Sequence, residues 1–107
     1  MTVALTERND GGRIRVRVGD TIEIFLPENA STGYRWSVDD LDSSLFDVAG
    51  ASAEYPGQTI GAGGQACVRI TVRGKGIGTV RLSYRRPWEG ADATLKQFTV
   101  EVEVVPG

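Results

Sequence analysis

Histidine is absent from this chain of 107 residues, and cysteine and methionine occur once each. Without an imidazole, Ser-His-Asp and Cys-His catalysis are excluded, and so are most zinc sites. A lone Cys67 excludes an internal disulfide and a Cys-x-x-Cys centre, so the fold rests on its apolar core. No apolar run approaches the roughly 18 residues of a membrane-spanning helix. Positive charge is not in excess either: twelve Lys+Arg against fourteen Asp+Glu give a formal charge of −2. The chain therefore carries no polybasic footprint for nucleic acid or an anionic membrane. The opening "MTVALTERND" lacks a basic leader region, so the expected location is cytoplasmic as written, or secreted or periplasmic if the sequence is a mature form. The length suits one domain, residues 1–107, and a monomer is expected.

Alternation with a period of two is present almost throughout. Ile14, Val16 and Val18 alternate with Arg13, Arg15 and Arg17; Ile22, Ile24 and Leu26 come next, in 21–26. Further strands are expected at 34–38 (Tyr34, Trp36 and Val38 inward), near 49–55, at 66–72, at 79–85 and at 96–105, with a short one around Val3 to Leu5. Turn signals separate them: "NDGG", "GD" and "GKGIG". "DDLDSSLFDV" has room for one helical turn and no more. The expected fold is all-β: an immunoglobulin-like antiparallel β-sandwich of seven or eight strands. If the chain reverses at every connection, loops alternate between the two ends of the sandwich. The three unusual loops, 27–33 ("PENASTG"), 56–64 ("PGQTIGAGG") and 86–95 ("RPWEGADATL"), then fall on the same end.

Most chemical motifs weaken on inspection. "GAGGQA" fits a dinucleotide-binding glycine pattern, but the residues after it read as a strand, and that site needs a helix N-terminus. Asp39, Asp40 and Asp42 lack the glycine-centred spacing of a calcium loop and read as a solvated turn. Asn29-Ala30-Ser31 is formally a glycosylation sequon. The Arg13, Arg15, Arg17 stripe suits the wet face of an edge strand. Trp36 reads as core, and Cys67, sharing its face with Arg69, reads as an inert thiol. No catalytic residue, metal site or cofactor is expected. Trp88 differs. Pro87 ends the strand pattern before it, and Pro87 is its sole apolar neighbour within two residues. It either folds back over the sandwich or anchors a partner.

Three stretches together carry a resemblance. Asn29-Ala30-Ser31-Thr32-Gly33-Tyr34, Gly61-Ala62-Gly63-Gly64 and Arg86-Pro87-Trp88 resemble, in order and spacing, the loop motifs of chagasin-type inhibitors of papain-like cysteine proteases. The likeness runs from about Val18 to Val104, and Ala30 stands where the family usually has proline. The resemblance implies a non-enzymatic, reversible and non-covalent inhibitor whose three loops wedge into a protease cleft. It implies that Thr32-Gly33 lies over the catalytic thiol, that Gly61–Gly64 braces one side, and that Arg86-Pro87-Trp88 packs on the other. The competing reading from the residues is an adhesion or carbohydrate-binding sandwich that uses Trp88 and Tyr55 as stacking platforms.

Overall fold

The alternating segments form eight strands in a computed structural model that describes residues 1–28, 33–54, 64–90 and 94–107. They are β1 (Thr2–Thr6), β2 (Arg13–Arg17), β3 (Thr21–Glu28), β4 (Arg35–Leu41), β5 (Phe46–Glu54), β6 (Gly64–Val72), β7 (Gly76–Arg85) and β8 (Lys96–Val105). One 3-10 turn, Glu7–Asn9, comes directly after β1. The Thr6 hydroxyl accepts from the Arg8 backbone N–H, and the Asn9 side chain accepts from the Thr6 N–H. Within 39–48, where the sequence has room for one helical turn, the Leu45 and Phe46 N–H groups both donate to the Asp42 carbonyl and close a single tight turn.

The strands build two four-stranded sheets, β1-β3-β6-β5 and β2-β8-β7-β4. The sandwich is confirmed, but its sheets are mixed rather than wholly antiparallel. β1 pairs with β3 and β2 with β8 in parallel, and every other pair is antiparallel. The reason is topological. The chain does reverse at each connection, but the N-terminal hairpin divides between the sheets, so β1 and β3 run the same way side by side. Several strands are also longer than their alternation indicates. β5 starts at Phe46, β6 at Gly64 and β7 at Gly76, while β3 runs on through Pro27 and Glu28.

The inner faces meet in a core of aliphatic side chains with Phe46 and Phe98. Ile22, Ile70, Val80, Leu82 and Val102 are 0% exposed. Each large one contributes about 1.5–3 kcal/mol by leaving water. Tyr34, Trp36 and Val38, expected inward, are only half-buried, because β4 is an edge strand with a register shift between Val38 and Asp40. The other edge on that side, β5, has a similar bulge between Val48 and Gly50. On the opposite edge, Arg13 and Arg15 of β2 pair with Glu103 of β8, and Arg13 also with Glu101.

Candidate functional site

Strand register determines which connections share an end. At one end of the first sheet Glu28 of β3 faces Gly64 of β6, and Glu54 of β5 faces Gln65. At one end of the second sheet Arg35 of β4 faces Arg85 of β7, and Tyr84 faces Lys96 of β8. The segment from β3 to β4 joins these two ends. The connections 29–34, 55–63 and 86–95 therefore emerge together, along with 7–12, which also runs from the first sheet to the second. Two expected boundaries are corrected. Pro27 and Glu28 belong to β3 rather than to a loop 27–33, and Gly64 belongs to β6 rather than to a loop 56–64. Of the expected contact residues, Asn29, Ala30, Ser31, Thr32, Gly61, Ala62 and Gly63 lie outside the described residues.

The third loop is stiff at its start. The Glu89 N–H donates to the Arg86 carbonyl at 3.0 Å, closing a β-turn with Pro87 at its second position, where the fixed φ of proline is already correct. Two arginines tie the turn down. Arg85 Nη1 donates to the Glu89 carbonyl at 3.0 Å, and Arg86 Nη1 to Glu89 Oε1 at 3.3 Å. The turn leaves Trp88 74% exposed.

The indole is exposed without being loose. A Cβ added at Gly33 would lie 2.8 Å from Trp88 Cη2, so the far edge of the ring rests on the Gly33 backbone. Gly33 also has φ +78°, in the left-handed region that disfavours other residues. Two independent constraints thus require glycine there. Beside this contact, the Arg86 guanidinium stacks 4.7 Å above the Tyr34 ring. Tyr34 stacks on Tyr84 at 5.4 Å, and Tyr84 on Trp36 at 5.0 Å. Trp36 Nε1 donates to the Pro27 carbonyl at 2.8 Å. Of the residues singled out from the sequence, the structure brings together Gly33, Tyr34, Arg86, Pro87 and Trp88. Trp36, expected as core, is the inner end of the same aromatic stack.

Glu28 escapes a reading of motifs. Its position continues the inward series Ile22, Ile24, Leu26, and it is 4% exposed; that parity is the available signal. Asp42, at the opposite end, accepts from the Ser44 hydroxyl at 2.6 Å and from its N–H at 3.0 Å. Those two bonds hold its carboxyl below the usual carboxylate range. Cys67 is half-buried on the outer face of its sheet, opposite Phe25 and Ser52.

A sandwich that presents a stiffened Trp seated on a glycine at one end has the form of a binding protein. The chain belongs to the chagasin family, matching the Chagasin family peptidase inhibitor I42 over residues 15–102. Chagasin of Trypanosoma cruzi is 32% identical over 105 residues, covering 94% of this chain and 96% of that protein. Amoebiasin-1 of Entamoeba histolytica is 34% identical over 102 residues, covering 95% of this chain and 99% of that one. Among solved structures, a cysteine protease inhibitor from Entamoeba histolytica superimposes with a TM-score of 0.85 at 26% identity, covering 97% of this chain and 96% of the other. The protein is accordingly a protease inhibitor and not an enzyme.

Proposed function

We propose that the protein inhibits papain-like cysteine proteases reversibly and without covalent chemistry, closing the active-site cleft with the loops at 29–34, 55–63 and 86–95. The observation that carries this reading is the seating of Trp88 on Gly33 with most of the indole exposed. A large apolar group held rigidly in water is the form of an interface anchor, and it loses little side-chain entropy on binding. Its support unites two of the three family motifs in one surface. Small residues at Ser31, Thr32 and Gly33 suit entry into a narrow groove over the catalytic thiol. Gly61 to Gly64 allows close backbone approach on one side, and Arg86-Pro87-Trp88 packs on the other. The inhibitor supplies no nucleophile or base; it excludes substrate and keeps its own backbone out of line with the thiol.

The test is a titration of papain, active-site calibrated, with the purified protein. Activity should fall linearly to an equivalence point near one to one and return on dilution, with both chains intact by mass spectrometry. Full papain activity at a large molar excess would refute the reading. Binding to immobilised glycans in that case would favour a carbohydrate-binding module.

A further inference from the structure

We propose that Glu28 is a positioning residue for the first loop, an inference that rests on the inhibitory reading above. β3 offers four inward positions, filled by Ile22, Ile24, Leu26 and Glu28 at 0, 0, 1 and 4% exposure. A fourth aliphatic residue would serve the core without penalty, whereas a carboxylate withdrawn from water is costly unless its oxygens are hydrogen-bonded. Here Oε1 accepts the Trp36 backbone N–H at 3.0 Å, and Oε2 lies 3.9 Å from Nη1 of the half-exposed Arg35.

The placement of these bonds matters more than their number. Glu28 is the last residue of β3, and Trp36 is the second of β4. The carboxylate therefore crosses the base of the connection that carries Ser31 to Gly33. A second bond, from the Trp36 indole to the Pro27 carbonyl at 2.8 Å, crosses the same base one residue earlier. Glu28 is also in register with Gly64, where the second loop re-enters its sheet. The Glu28 side chain thus holds the root of the first loop, while its backbone lies beside the root of the second. Being buried, it touches no protease and acts through the residues it holds.

Inhibition and stability are read separately. Glu28→Leu relieves a desolvated charge but leaves the Trp36 N–H without its acceptor, so the two effects oppose and the variant should stay folded, with a melting temperature within about 8 °C of the parent. Its inhibition constant for papain should rise about tenfold or more, because the Trp36 N–H loses its acceptor. Glu28→Gln keeps an acceptor oxygen and should stay within about threefold of the parent. Amide exchange at Trp36 should be slow in the parent and in Glu28→Gln, and faster in Glu28→Leu. Parent-level inhibition by Glu28→Leu would overturn the proposal, as would equal losses in the Leu and Gln variants. If Glu28→Leu does not fold, Glu28→Met, a flexible apolar side chain without a carboxylate acceptor, takes its place, and parent-level inhibition there would also overturn it. If the parent itself leaves papain active, the inhibitory reading fails instead, and exchange at Trp36 still reports whether the clamp exists.

Discussion

Truncating Trp88 to alanine isolates the anchor from the scaffold. An aromatic side chain offers up to about 250 Å², and 74% of this one is exposed, leaving roughly 180 Å² free to be covered by a partner. At about 25 cal/mol per Å² the ceiling is about 4.5 kcal/mol. The ring edge stays on Gly33, and part of a face remains wet at any interface rim, so half the ceiling is a fair expectation. About 2 kcal/mol corresponds to roughly a thirtyfold rise in the inhibition constant. Progress curves with papain at several inhibitor concentrations would resolve that rise and assign it to the off-rate, where most interface substitutions act. The melting temperature should move by less than about 4 °C, since the substitution removes one surface contact. An unchanged inhibition constant with the fold intact would refute the anchor reading. A fall of about 8 °C or more would make Trp88 a member of the fold instead.

Gly33→Ala should weaken inhibition by about tenfold, through strain at a left-handed φ and displacement of the indole. In the Trp88→Ala background the displacement no longer matters, so a double-mutant cycle should show a smaller effect; strict additivity would disprove the contact as a functional one. Ser44→Ala should flatten the acid limb of stability. Hydrogen bonds, first from the Ser44 hydroxyl and then from its N–H, hold Asp42 below its ordinary value. Its contribution is complete above the ordinary carboxylate range and is lost as pH falls through the lowered folded value. Thermal melts between about pH 2 and pH 6 should therefore converge for parent and variant at the acid end and separate above it. Cys67→Ser should inhibit like the parent with or without reductant, and a mixed disulfide with the protease in a mass spectrum would contradict a non-covalent mechanism.

The alternation of Ile22, Ile24 and Leu26, and of Val100, Val102 and Val104, announces strands because one face must be buried and successive side chains point opposite ways. Reversal at each connection then places the unusual loops at one end, as the register shows. Neighbour choice is not legible in the same way. Alternation says which way a side chain points but not which strand lies alongside, so it gives no sign of the parallel β1–β3 and β2–β8 pairs. Phe46 is hidden because the polar residues before it read as loop. Glu28 is hidden because an acidic residue beside a loop reads as solvated, although its parity places it inward. Exposure of Trp88 can be anticipated from Pro87 and its charged neighbours. Its seat on Gly33 joins residues far apart in the chain, and no local pattern encodes such a contact.

The bulges in β4 and β5 bear on how much inhibitor a cell can keep in working form. A one-to-one blocker is useful only in molar parity with its target, so any molecule lost to self-association is capacity lost. β4 and β5 are each an edge of their sheet, and an unbroken edge invites a second copy to pair along it. The register shifts at Val38/Asp40 and Val48/Gly50 divide each edge into short runs that do not match an extended strand. Neither edge thus offers a second copy a long, flat template, while Trp88 at the loop end stays exposed for a different partner.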